Sequence, residues 1–162
     1  MNISWIAGIL LILASAGPLT AQQPNAPAAG MEIDLPEVIA EVKGVYDAYN
    51  QALNSGNLAV LNGTFRNDER TIRYGGAENL YGYKAIEDFR AAARPIDPPL
   101  TLSKTIITTY GRDFAVASTL TSRANQPGKV GRQMQTWVRF PEGWRVVAAH
   151  VSNIDEPKNQ PQ

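Results

Sequence analysis

The stretch LTLSKTIITTYGRDFAVASTLTSR (100–123), joined through ANQPG (124–128) to KVGRQMQTWVRFPEGWRVVAAHVS (129–152), decides the fold. Runs rich in Val, Ile, Thr and aromatic residues are punctuated by Gly111-Arg112-Asp113, Asn125-Gln126-Pro127-Gly128 and Pro141-Glu142-Gly143. Such short Gly- and Pro-containing breaks return the chain on itself, so the spacing predicts strands over Leu100–Tyr110, Phe114–Arg123, Val130–Phe140 and Trp144–Ser152 in an antiparallel meander. In the last strand the period of two puts Trp144, Val146, Ala148, His150 and Ser152 on one face and Arg145, Val147, Ala149 and Val151 on the other.

Upstream, the period changes from two to 3.6. Asp34-Leu35-Pro36-Glu37 reads as a helix start, with Asp34 as cap, Glu37 three residues on and Pro36 in the first turn. Val38, Val42, Val45, Tyr46, Tyr49 and Leu53 then form one apolar face, and Gly56 supplies the left-handed stop. Asn57 caps a short second helix to about Leu61. Thr71–Tyr74 is a short strand, and a third helix runs from Tyr83 to about Ala93 with Ile86 and Phe89 inward and Pro95 ending it. Helices followed by a long meander predict an α+β fold, three helices packed on one face of a curved antiparallel sheet. A concave pocket forms between such layers. The His150 face is assigned to that cup, because an imidazole among apolar neighbours suits a pocket wall.

Composition narrows what the cup can hold. The chain has 162 residues, enough for one domain with a substantial core. Net charge is zero, which gives no electrostatic footprint for nucleic acid. There is no cysteine and one histidine, so thiol chemistry and Cys- or multi-His-based metal centres are excluded; no metal and no cofactor is expected. Between Leu100 and His150, seven bases (Lys104, Arg112, Arg123, Lys129, Arg132, Arg139 and Arg145) face two acids, Asp113 and Glu142, a bias towards an anionic ligand.

Residues 1–30 contain no Asp, Glu, Lys or Arg. The apolar run Trp5–Leu13, followed by small residues, reads as a signal-peptide core too short to span a membrane. Residues 1–21 are assigned to that signal, with cleavage after Ala21 or Ala16, and 22–30 to a disordered linker. This predicts a periplasmic or secreted protein. The n-region lacks a basic residue, however, and a start at Met31 would make the protein cytoplasmic. The folded domain is assigned to 31–154 and a flexible tail to 155–162.

Several blocks resemble a known family: Met31–Val38, Arg73-Tyr74-Gly75, Glu78–Gly82, Ile107–Gly111, Gly131–Val138, Pro141–Arg145 and Ala148–Ser152. They are similar to the AtzH-like (HpxZ-like) branch of the nuclear transport factor 2-like (SnoaL-like) superfamily, whose fold is a cystatin-like cone. The resemblance implies a small, commonly dimeric protein working beside amidase-type enzymes on carboxylated urea derivatives, one member being a decarboxylating amidohydrolase of a dicarboxylated urea. It also implies Tyr49 and Arg73 as the residues of that chemistry, with Asn79, Tyr81, Gln135 and His150 lining the site. Arg66 stands where the family usually has tryptophan, Ala91–Pro95 carries an extra residue, and Asp97-Pro98-Pro99 differs from the family loop.

The chemistry suits these residue types. A guanidinium grips a carboxylate through parallel charge-assisted hydrogen bonds, and a neighbouring phenol can donate a proton or hydrogen bond to a departing nitrogen. Taken singly, Tyr49 reads as core, Arg73 as a surface cation and His150 as a hydrogen-bonded core histidine. Three functions compete: an enzyme acting on a small carboxylated ureide or amide, a non-catalytic ligand-binding or amidase-docking module, and an isomerase or cyclase. The last usually needs a carboxylate or histidine base in the cup.

Overall fold

The computed structural model describes residues 31–93 and 95–157. The expected signal and linker, 1–30, lie outside the described residues. Helix α1 (Pro36–Ser55) buries Val38, Val42, Tyr46 and Tyr49 of the predicted stripe, with Val45 and Leu53 partly buried and Ala52 added to it. It ends at Gly56, whose φ of 71° is open to glycine at little cost. Asp34 does not cap it. Its carboxylate instead accepts from the Thr109 amide at 2.9 Å, while its own amide donates to the Thr109 carbonyl at 3.1 Å. Thr109 lies on an edge strand with open backbone groups, and satisfying those outcompetes the helix cap. Helix α2 (Leu58–Thr64) is capped as predicted, the Asn57 side chain accepting from the Val60 amide at 3.2 Å, but runs past Leu61.

Two short strands follow, β1 (Ile72–Tyr74) and β2 (Asn79–Tyr81), then α3 (Tyr83–Ala92). Four longer strands complete the chain: β3 (Thr101–Tyr110), β4 (Phe114–Ser122), β5 (Lys129–Phe140) and β6 (Gly143–Asp155). They form one sheet in the order β2-β1-β6-β5-β4-β3. β1 pairs with β6 in parallel, so the sheet is mixed rather than wholly antiparallel. The two strands are far apart in sequence, and no hairpin dictates their direction. β6 also outruns its expected end: Asp155, assigned from the sequence to the tail, pairs with Lys129 in the ladder and by an ion pair of 2.5 Å, and residues 158–162 lie outside the described residues.

One irregularity decides which side chains face the helices. Trp137 lies opposite Val146, while Thr136 lies opposite Ala148, so Val147 is an extra residue in β6. Such a bulge switches the alternation. Trp144 and Val146 point inward before it, and Ala149 after it. His150 is therefore turned to the outer face, and the predicted His150 face is corrected: beyond Val147 the other face looks into the cup. Along the inner face Ala115, Trp137, Val146 and Trp144 close an apolar end against α1, while Thr119, Thr121, Gln133 and Gln135 make the other end polar. No helix among the described residues is long and apolar enough to cross a membrane.

Candidate functional site

Tyr49 sits where the apolar stripe of α1 meets the polar end of the sheet. It is 3% exposed and packs on the Phe65 ring at 6.1 Å. Arg73 is the central residue of β1, between Leu80 and Ala149 in the sheet. Both line one cavity of two adjoining lobes, about 380 and 430 Å³, each within the size range of small-molecule sites. Leu53, Ile96 and Arg123 are the other residues shared by the lobes.

The Arg73 guanidinium is held on two sides. Its Nη1 donates to the Glu78 carboxylate, and its Cζ lies 5.2 Å from the centroid of the Phe89 ring. Phe89, expected inward, is partly exposed at the rim of the second lobe, and Arg90 takes the buried position next to it. Glu78 lies in the turn between β1 and β2 and also accepts from the Ala77 amide at 3.2 Å. Burial works to raise its carboxyl, but hydrogen bonds from Arg73 and the Ala77 amide outweigh it and hold the group below its ordinary range. Gly75 makes the pairing possible, since a Cβ there would collide with the Glu78 carboxylate.

The lobes differ in character. The first is walled by Gln133, Thr121, Asn153 and Lys129. The second is walled by Leu58, Leu61, Phe89 and Pro95, with Arg90 among them. Arg90 is 6% exposed; its Nη1 donates to the Leu61 carbonyl and its Cζ lies 4.3 Å from the Phe65 ring centroid. Burial is the chief influence lowering its pKa, with the Arg73 charge acting the same way and Tyr49 opposing. Among the described residues Arg73, Arg90, Arg123 and Lys129 line the cavity against one lining carboxylate, Glu78; even with Lys129 paired to Asp155 the balance is a positive field. No group of three His, Cys, Asp or Glu among the described residues could hold a metal ion.

The remaining predicted site residues separate. Gln135 is on the inner face but lies deeper and lines neither lobe; Gln133, two residues earlier, lines the first. Asn79, Tyr81 and His150 are exposed on the other face. There Tyr74 stacks edge-on with Tyr81 at 6.0 Å and with His150 at 6.2 Å. Sequence reasoning missed Gln133 and Arg90. Gln133 shares a face with Gln135 by strand alternation, and Arg90 falls four residues after Ile86 on the buried stripe of α3.

The AtzH-like family model matches residues 31–157. No curated protein sequence matches. A protein of unknown function from Pectobacterium atrosepticum is 47% identical, with 78% of this chain and 100% of that one covered and a TM-score of 0.74. A cystatin-like fold protein from Burkholderia xenovorans is 40% identical over 79% and 100% of the two chains, TM-score 0.76. A nuclear transport factor 2-like protein of unknown function from Pseudomonas putida shares the fold at 16% identity, over 76% and 89% of the chains, TM-score 0.61. With its helices on a curved mixed sheet, the fold it shares with the nuclear transport factor 2-like protein, and a family match that takes in every described residue, this chain belongs to the AtzH-like family.

Proposed function

We propose that the cup binds a small carboxylated ureide or amide and breaks its carboxylated C–N bond, with Arg73 gripping the carboxylate and Tyr49 serving the nitrogen. The observation that carries this reading is that Tyr49 and Arg73 line one positively charged cavity. Arg73 has five N–H donors, and one of the two at Nη1 engages Glu78. Its other donors can take the ligand. When the C–N bond breaks, its electron pair passes to nitrogen, the carboxylate leaves as carbon dioxide, and nitrogen takes up a proton. A buried phenol beside the clamp can donate that proton, and a fixed guanidinium holds the reacting group in place.

This step needs no activated water. That suits a cup whose one carboxylate among the described lining residues, Glu78, is already committed to Arg73. The same commitment supports a second reading, a non-catalytic module that holds a carboxylate for an amidase partner. Incubation with dicarboxylated urea, following carbon dioxide, separates the two, with oxalurate, whose carboxylate sits on carbon and cannot leave in this step, as the control. Turnover is expected, lost in Arg73→Ala and reduced roughly 10²-fold or more in Tyr49→Phe. Carboxylate binding without turnover would leave the binding module, and an unaffected Arg73→Ala variant would move the site elsewhere. We also propose that the protein works as a homodimer joined through the outer face of its sheet.

A further inference from the structure

We infer that the second lobe receives a second carboxylate, carried on a short apolar arm of the ligand and read by Arg90. The inference rests on the reading of Arg73 as clamp for the first carboxylate. It adds the part of the molecule that lies beyond that clamp.

Two independent observations carry it. The first is an unfinished cation. Arg90 is 6% exposed and its Nη2 makes no hydrogen bond of ordinary length, although its Nη1 is satisfied by the Leu61 carbonyl and the Tyr49 hydroxyl lies close enough to favour its charge. A buried guanidinium with an idle donor is costly, and a carboxylate is the group that best offsets it. No Asp or Glu side chain does so here: Arg90 has no ion pair among the described residues, and residues 1–30, 94 and 158–162 contain no Asp or Glu. The rings of Phe65 and Tyr49, 4.3 and 5.9 Å from its Cζ, stack on the charge without replacing an anion.

The second observation is the shape and lining of the lobe. It opens from the shared junction at Tyr49 and Arg73 and is walled by Leu58, Leu61, Phe89 and Pro95. Its volume, about 430 Å³, exceeds what a single carboxylated nitrogen would fill. A fully polar ligand would leave these side chains against water, whereas a hydrocarbon segment would bury them. A ligand that starts at Arg73, crosses apolar surface and ends at Arg90 satisfies both arginines and the wall between them.

The test is titration calorimetry of the full chain with linear alkanedioates of four to eight carbons, each compared with the monocarboxylate of equal length. At one or more lengths the dicarboxylate should bind at least tenfold more tightly. That ratio should collapse to about one in Arg90→Lys, which keeps the charge and loses the planar fork. Leu58→Trp, at the partly exposed rim of the lobe, provides a second variant that leaves Arg90 in place, and it should narrow the ratio in the same way. If no length favours the dicarboxylate in the wild-type protein, or the ratio survives in folded Arg90→Lys or Leu58→Trp, the inference is overturned. Failure of the Arg73 reading looks different: Arg73→Ala would then bind monocarboxylates as the wild type does.

Discussion

Arg73, at the junction of the two lobes, meets Glu78 on the side of the first, with side chains 16% and 21% exposed, so the pair is only partly screened by water. Glu78 occupies one donor of the group proposed to hold the ligand, and so competes with it. Its carboxyl titrates below the ordinary 4.5, which fixes the sign of the pH dependence. The stabilisation from the pair is fully present above 4.5 and is lost as pH falls through the lower folded value. Glu78→Gln keeps an acceptor for Arg73 but removes the competing charge. It should bind an alkyl sulfonate, whose own charge does not titrate, roughly tenfold more tightly at pH 7, the order of one charge-assisted hydrogen bond. Calorimetry should show that advantage shrinking below pH 4.5, where the wild-type Glu78 takes up its proton. Equal affinities at pH 7 would mean that Glu78 positions Arg73 without competing.

At the scale of elements, the β1–β2 hairpin sets this pair in place, and it was only half legible in the sequence. Thr71–Tyr74 reads as a strand, but Asn79-Leu80-Tyr81 is three residues long and begins with a poor strand former, too short for alternation to register. What makes β2 a strand is its pairing with β1. The turn between them needs Gly75 for space rather than for an unusual φ, since the neighbouring atoms are those of the Glu78 carboxylate. A carboxylate at the end of a flexible side chain can move aside. Gly75→Ala should therefore fold, lose the Arg73–Glu78 pair and bind the sulfonate as Glu78→Gln does. A variant that unfolds, or binds like the wild type, would contradict this use of the glycine. The bulge at Val147 shows the other limit of sequence reading. Trp144 and Val146 do face inward as the period of two predicts, and one inserted residue then carries His150 to the opposite side. Nothing local in Val146–Ala149 announces it; the register is set by Trp137 and Val146 packing in the core.

Over the whole molecule, the basic bias of the second half was readable in the sequence, and Arg123 and Lys129 bring part of it to the cavity. Arg90 escaped that count because it belongs to α3 and takes a position that helical periodicity reserves for apolar side chains. The outer face of the sheet poses the opposite problem. Ile106 and Met134 are 62% and 55% exposed, and they border a groove that also takes in Leu120 and His150, between Lys104 and Arg132. Large apolar side chains clustered on one exposed face mark an interaction surface more often than a solvated one. A second copy of the chain presents the same patch, and a twofold pairing would bury both. Light scattering after size exclusion should then give twice the chain mass for the wild type. Met134→Glu would place two carboxylates in the apolar centre of the interface, a burial too costly to persist unpaired, and should give the monomer. Because Met134 points away from the cup, the variant should still bind the sulfonate probe, and a monomeric wild type would remove the outer face as the dimer surface.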